Sequence, residues 1–198
     1  MKKNFLLLLY VSCLCAIISC EEKKVSSPSI TPTNKTIDSV SATLTSLKDS
    51  ADKAWGLMIK SDDQKINDLL RLLQEISYCK KYNAPLLDSL FEATKIMKQK
   101  RYQQLTMMSE EIDRYDEFTN QLIARTKYLA RTTSELQSHP IAETLYNDIA
   151  KADNDVVLHR TLYDRFATEY NNYLEANKTV LGEKGKDFKK LPLFSLSA

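Results

Sequence analysis

The most specific chemical pattern lies near the N-terminus, where Ile17-Ile18-Ser19-Cys20 ends a run of apolar residues. An aliphatic residue, a tolerant position, a small residue and a cysteine form the pattern of a lipobox. The small Ser19 lets a peptidase approach the backbone, and the thiol of Cys20 is the nucleophile that takes up a diacylglycerol. The sequence therefore predicts that Cys20 is the site of lipid attachment and the N-terminus of the mature chain.

The segment before this cysteine has the features of a cleaved secretion signal. Lys2 and Lys3 form a short basic leader, and the apolar run from Phe5 to Ile18 is about 14 residues long, whereas a spanning helix needs about 20. This pattern is typical of a secretory signal, so residues 1–19 are expected to be a lipoprotein signal peptide. An ordinary signal with a chance cysteine and an uncleaved anchor are the alternatives. Two or more acyl chains such as palmitate make anchoring stable, so we expect a membrane tether at Cys20.

The remaining residues that could do chemistry form no recognisable catalytic pattern. Metal sites need His, Cys or carboxylate clusters at matched spacing, and the chain has two histidines, His139 and His159. The haem-attachment motif, the paired Glu-x-x-His of di-iron bundles and a Gly-rich phosphate loop do not occur. We expect His159 to be partly buried against a neighbouring helix and Cys79 to be a packed thiol. The sequence therefore predicts a non-enzymatic protein with no catalytic residues, no metal and no cofactor.

Charge and cysteine content bound the classes of partner. The chain has 28 basic and 26 acidic residues, and loss of Lys2 and Lys3 with the signal balances the mature side chains. Nucleic-acid binding needs a basic stripe, so no nucleic-acid partner is expected. Cys13 and Cys15 leave with the signal, so Cys79 remains as a free thiol without a disulfide partner in the chain.

The first part of the mature chain is predicted to be a tether followed by a long helix. Residues 20–35 contain little to bury, and a flexible segment of this length spans on the order of 20 Å. Apolar residues three and four apart then predict a helix from Ile37 to Asn83. Their seam changes step between Met58 and Ile66, which predicts an irregularity around residues 61–63.

Two prolines divide the rest of the helical region. Pro85 suits the first turn of a helix, and neither Gly nor Pro interrupts the chain from there to Pro140. A second change of step, near residues 98–104, leaves open whether residues 85–138 form one helix or two. The last helix has unbroken three–four spacing, and Gly182 and Gly185 are expected to stop it. Its aromatic stripe is interpreted as core, with a partner groove as the alternative; the stripe comprises Tyr163, Phe166, Tyr170 and Tyr173.

These segments predict an all-α fold, an elongated antiparallel up-and-down bundle of three long helices with packing of the coiled-coil kind. The alternative is a parallel coiled-coil oligomer, which the short turns before Pro85 and Pro140 oppose. Residues 36–186 are assigned to the bundle and residues 187–198 to an apolar C-terminal tail. The tail is expected either to fold back as a cap or to bind a partner or a membrane surface; its candidate contact residues are Phe188, Leu191, Leu193 and Phe194.

The last helix also resembles the C-terminal helix of the LemA family. The similar elements are the segment 149–154 with Asn154 at its end, then Arg160, Tyr163 and Tyr170-Asn171. Ala54-Trp55, Asp68-Leu69-Leu70 and Tyr82 resemble earlier elements of the family, so that the similarity extends over about residues 40–181. The Phe-Pro and Gly-Phe elements that follow the last helix in the family are missing here. The resemblance implies an antiparallel bundle, usually of four helices, held at a membrane, and no established catalytic activity.

Together these observations predict a non-catalytic lipoprotein of LemA type in the bacterial cell envelope. It is expected to face the extracytoplasmic side and to act through contacts with an envelope protein that the sequence does not identify. The alternative is a helical bundle that binds a small ligand, a peptide or a lipid. An exposed apolar patch of several hundred Å² would favour the first hypothesis, and a closed apolar pocket with converging polar groups would favour the second. The sequence does not determine the oligomeric state.

Overall fold

The structure is a computed structural model that describes residues 33–194. In this range the chain forms four long helices: α1 (Asn34–Ser77), α2 (Ala84–Lys100), α3 (Ser109–Thr132) and α4 (Pro140–Ala176). A 3-10 helix (Ser134–Ser138) joins α3 to α4, and the single turn α5 (Lys178–Leu181) and a second 3-10 helix (Gly182–Asp187) follow α4. The predicted all-α bundle is confirmed. Of the two alternatives for residues 85–138, the structure shows two α-helices, so the bundle has four long helices where the apolar pattern alone predicted three.

The long helices α1 and α4 pack side by side and run in opposite directions. Lys65 of α1 lies 3.0 Å from Asp153 of α4, and Ser61 Oγ lies 3.3 Å from His159 Nδ1. The residue number therefore rises along α4 as it falls along α1. With 44 residues and a rise of 1.5 Å per residue, α1 is about 65 Å long.

The shorter helices α2 and α3 cover the half of this pair that contains the C-terminal end of α1. Arg101, at the end of α2, reaches back to Asp62 near the middle of α1, and Tyr115 in the second turn of α3 contacts the same carboxylate. From there α3 returns to the far end of the bundle, where Glu135 accepts a hydrogen bond from the backbone N–H of Lys80. The helices thus run up, down, up and down.

Local sequence explains where the helices start and stop. The side chain of Thr33 caps α1, and the side chain of Asn83 caps α2, accepting a hydrogen bond from the backbone N–H of Leu86 at 3.1 Å. The acidic residues Glu110 and Glu111 lie in the first turn of α3, where the helix dipole favours negative charge. Gly182 follows α5 with φ of 51°, a left-handed conformation that favours glycine.

The prediction of an irregularity at residues 61–63 is wrong, because α1 is continuous through these residues. Asp62 and Lys65 are each 2% exposed and lie in the interior between Met58 and Leu69. They occupy the core positions that the apolar residues alone leave empty, so the seam continues where the apolar pattern suggests a slip.

The irregularity predicted at residues 98–104 is confirmed in position but not in its details. Helix α2 ends at Lys100 and α3 begins at Ser109. Leu105 and Met108 continue the three–four spacing that leads to Ile112, but Leu105 is 68% exposed in the loop and Met108 is also exposed. Tyr102 and Met107 are buried in their place, because a loop that is not helical does not keep the helical period.

Other predicted boundaries shift by a few residues. The first helix ends at Ser77 and not at Asn83, and its first residue, Asn34, lies within the segment assigned to the tether. The last helix is interrupted at Asn177, which separates α4 from α5. The predicted signal peptide, Cys20 and the tether up to residue 32 lie outside the described residues. Within residues 33–194 no helix combines the length and apolar character that crossing a bilayer requires.

Candidate functional site

The middle of the bundle contains a group of charged side chains that we call the central charged cluster, formed by Asp62, Lys65, Arg101, Asp116 and Arg160. They come from α1, the end of α2, α3 and α4, so residues far apart in sequence meet at one level. Lys65 Nζ lies 3.0 Å from Asp62 Oδ1, as an ion pair and not an aligned hydrogen bond. It also donates a hydrogen bond to Asp153 at 3.0 Å. The buried ammonium is therefore neutralised from two helices.

Arg101 joins the end of α2 to α1. Its Nε donates to Asp62 Oδ2 and its Nη2 to Asp63 Oδ1, each at 2.7 Å. Burial lowers the pKa of Arg101, but the hydrogen bond to Asp63 and the charge of Asp62 more than offset this, so its pKa lies above the ordinary value. Burial also raises the pKa of Asp63, and the hydrogen bond and charge of Arg101, with Lys98, reverse this to a net lowering. Both groups therefore stay charged at neutral pH.

Tyr115 completes the contacts of Asp62. Its hydroxyl donates to Asp62 Oδ2 at 2.5 Å, and the tyrosine is 3% exposed. Burial first, and then the charge of Asp62, raise the pKa of Tyr115. The phenol therefore remains a hydrogen-bond donor and is not available as a base at neutral pH.

Arg160 makes the corresponding link between α4 and α3. Its two terminal nitrogens donate to the two carboxylate oxygens of Asp116 at 2.6 and 2.7 Å, which is the planar bidentate geometry that arginine favours. Its guanidinium also lies 5.6 Å from the ring centre of Tyr102 and 5.2 Å from that of Phe194. Arg160 thus connects the charged cluster to a neighbouring group of aromatic side chains.

That neighbouring group forms what we call the aromatic cleft, made by Trp55, Tyr102 and Tyr163. Trp55 meets Tyr163 edge-on at 5.6 Å and Tyr102 at 6.0 Å between ring centres. Burial raises the pKa of Tyr163 to about 12. Phe194 lies in the cleft, stacked on Trp55 at 5.8 Å with an interplanar angle of 16°.

Phe194 belongs to residues 188–194, which we call the C-terminal strap and which fold back along α4. Asn171 holds the backbone of Leu191 on both sides, donating to its carbonyl and accepting from its N–H, each at 2.8 Å. The Tyr163 hydroxyl donates to the carbonyl of Pro192 at 3.0 Å, and the N–H of Phe194 donates to Asp164 Oδ1 at 2.7 Å. The strap is therefore held mainly through its backbone and through the ring of Phe194.

The four residues predicted to contact a partner thus lie against the bundle. Leu191 is 4% exposed, and the other three are partly buried against the core: they are Phe188, Leu193 and Phe194. Of the two alternatives for the tail, the structure shows the fold-back. Cys20, the predicted site of lipid attachment, lies outside the described residues.

The other residues singled out from the sequence have structural surroundings. His159 lies beside Ser61 on α1, as expected for a partly buried histidine. Cys79 is buried, and burial followed by the charges of Glu135 and Glu75 raises the pKa of its thiol. Tyr170 is 1% exposed and belongs to the core. Asn154, part of the segment that resembles the LemA family, is exposed on α4.

Sequence reasoning missed the members of the charged cluster other than Arg160. Charged residues usually mark a solvent-facing side, so Asp62 and Lys65 were not assigned to the core. Their positions offered a signal for burial. Asp62 lies four residues after Met58 and Lys65 lies four residues before Leu69, which is the spacing of residues on one face of a helix.

Two cavities border the cluster. A cavity of about 590 Å³ opens to solvent between the end of α2, the loop 101–108 and α3, with Lys100, Arg114 and Phe118 in its wall. A smaller one of about 120 Å³ lies between α3 and α4, where the hydroxyl of Thr119 has no hydrogen-bond partner among residues 33–194. The mostly polar wall of the smaller cavity suits water more than an apolar ligand.

The charged groups of this cluster neutralise one another. Nucleophilic catalysis needs a nucleophile beside a base, whereas the groups of the cluster bind one another. In the described part of the chain, no group of three or more His, Cys, Asp or Glu side chains is placed to hold a metal ion. No family model, no curated protein and no solved structure matches this chain.

Proposed function

We propose that this chain is a non-catalytic lipoprotein of LemA type, tethered to a membrane of the bacterial cell envelope and acting through protein contacts. The observation that supports this most is the mutual pairing of the buried ionisable groups. Asp62, Lys65, Arg101, Asp116 and Arg160 use their polar atoms to join α1, α2, α3 and α4. A scaffold held in this way would present its surfaces to partners.

Exposed apolar side chains give the proposal its candidate contact points. Val157 and Leu158 on α4, and Leu105 and Met108 in or beside the loop 101–108, are each more than half exposed. Single exposed apolar residues are normal, but two adjacent ones on one helix and two close together in one loop are places where a partner would bury surface. The lipid on Cys20 would hold these surfaces close to envelope proteins.

Site-specific photocrosslinking in intact cells tests the contact proposal. A photoreactive residue at position 158 or 105 should give a specific adduct with an envelope protein, identified by mass spectrometry. The same residue at position 169, which is exposed on α4, is the matched control and should not give that adduct. Identical adducts from all three positions, or none from positions 105 and 158, would contradict the proposal.

A second candidate is the binding of a small ligand in the open cavity beside α3. Its wall combines the cations of Lys100 and Arg114 with the rings of Tyr115 and Phe118. This chemistry favours an anion with an apolar part. An anionic amphiphile should raise the unfolding temperature of the native chain. A neutral amphiphile should not raise it, and neither should the anionic one with the Arg114→Glu variant. Equal shifts with the two amphiphiles, or in the two chains, would reject this candidate.

A further inference from the structure

We propose that the aromatic cleft and the adjoining face of α4 form a peptide-binding groove for a partner protein. The groove would take an extended apolar peptide with a proline two residues before an aromatic residue, as in Leu-Pro-x-Phe. The C-terminal strap occupies the groove within the chain and competes with the partner. The inference rests on the proposed function, since it names one surface and one ligand class for contacts with envelope proteins.

The hydrogen bonds to the strap are made with its main-chain atoms and not with its side chains. Asn171 bonds both polar groups of Leu191, Tyr163 bonds the carbonyl of Pro192, and Asp164 accepts from the N–H of Phe194. Because these contacts use main-chain atoms, a different chain with the same backbone path can make them. Recognition of extended proline-containing peptides by aromatic grooves follows this logic, since proline presets the extended form.

Two side chains of the strap give the groove its selectivity. Phe194 stacks on Trp55, meets Tyr163 edge-on at 5.5 Å and lies against the guanidinium of Arg160. Leu191 is buried three residues earlier. An aromatic ring and a leucine at this spacing are therefore the required anchors, while the residue between proline and the aromatic one is less constrained because Leu193 is only half-buried.

The covalent connection explains why the groove is closed in the isolated chain. Residues 182–187 link the strap to the end of the helical region, so the strap is present at an effective concentration of about millimolar. A separate peptide must exceed this concentration to displace it. Weakening the strap without altering the groove should therefore reveal binding of a free peptide.

The chain provides its own reporter, because Trp55 is the single tryptophan and it contacts Phe194. The full chain, purified in detergent, is titrated with a synthetic peptide of the sequence of residues 189–196 while tryptophan emission is recorded. Phe194→Ala should shift the emission of Trp55 to the red, and the peptide should reverse the shift. The peptide should bind this variant at least about tenfold more tightly than the native chain, which its own strap occupies.

Matched controls separate recognition from nonspecific apolar binding. A peptide with alanine in place of its phenylalanine should not reverse the shift. Adding Asn171→Ala to Phe194→Ala should weaken peptide binding at least about tenfold, because the two backbone hydrogen bonds are lost. Adding Asn154→Ala, an exposed asparagine on the same helix, should leave binding unchanged.

A Phe194→Ala chain with native helicity that fails to bind the peptide would overturn the inference. If that variant does not fold, the native chain is used, and protection of the Leu191 and Phe194 amides from hydrogen exchange is measured at rising peptide concentration. Protection that does not respond to peptide would also overturn the inference. A native dimer whose strap crosslinks to the cleft of the other copy would make a second copy the occupant and exclude a partner protein. Adducts at positions 105 or 158 would still support the proposed function if the peptide test failed.

Discussion

Burying a charged side chain removes it from water and destabilises the fold unless an opposite charge lies beside it. In this chain Asp62 and Lys65 are buried together as such a pair. Both residues are almost inaccessible, and Asp62 has further donors in Arg101 and Tyr115. Such pairs often contribute little net stability compared with well-packed apolar residues. Removing one partner is different, since it leaves the other charge buried. The cluster therefore serves to fix which faces of the helices meet.

Replacement of one member should cost much more than replacement of both. Asp62→Ala leaves Arg101 and Lys65 short of a carboxylate, so the free energy of unfolding should fall by about 3–5 kcal/mol. The double variant Asp62→Leu with Lys65→Leu should lose clearly less, because no uncompensated charge remains from the pair. Urea unfolding followed by circular dichroism measures both. A double variant less stable than the single one would show that the pair adds net stability.

At the scale of elements, local signals identified the helices, and contacts from distant residues decided the rest. Pro85 and Pro140 correctly placed the starts of α2 and α4, because proline at the first turn of a helix acts locally. The apolar pattern alone did not predict the continuity of α1, because the buried charge of Asp62 is paired by groups from α2 and α3. The docking of the strap depended on Asn171 and Trp55, which lie about 20 and about 140 residues from it.

The loop between α2 and α3 offers a matched pair of residues for testing this difference. Tyr102 is 5% exposed and contacts Trp55 and Tyr115, whereas Leu105 is 68% exposed. Tyr102→Ala should therefore lower the free energy of unfolding by about 3–5 kcal/mol, and Leu105→Ala should change it by no more than about 0.5 kcal/mol. Denaturant unfolding of the two variants provides the measurement. Equal losses would mean that the seam of α3 continues through Leu105, as the apolar pattern alone suggests.

At the scale of the whole molecule, the folded unit combines two ways of covering the α1–α4 pair. Helices α2 and α3 cover one half, and the loop 101–108 and the strap cover part of the other, where Tyr102 and Phe194 meet Trp55. The sequence predicted the bundle class because its helices are amphipathic over many turns. The sequence did not predict that the loop and the strap would cover part of the α1–α4 pair, since a short strap without helices or strands has no apolar periodicity to detect. The strap covers the half of the bundle that contains the N-terminal end of α1. That end of α1 is the part of the helical bundle closest to Cys20 in the sequence.

The predicted lipid on Cys20 can be tested by asking whether the chain is attached to a membrane. The chain with Cys20→Ala lacks the thiol that would take up the diacylglycerol, so it should not incorporate radioactive palmitate and should leave the detergent phase in a partitioning experiment. Cys79→Ala is the matched control, because it removes a buried thiol of the folded unit and should leave labelling intact. The full-length chain is expressed in a bacterium that processes lipoproteins, and label is measured after immunoprecipitation. Equal labelling of the Cys20→Ala and native chains would exclude this cysteine as the lipid attachment site and remove the basis for a membrane-tethered protein.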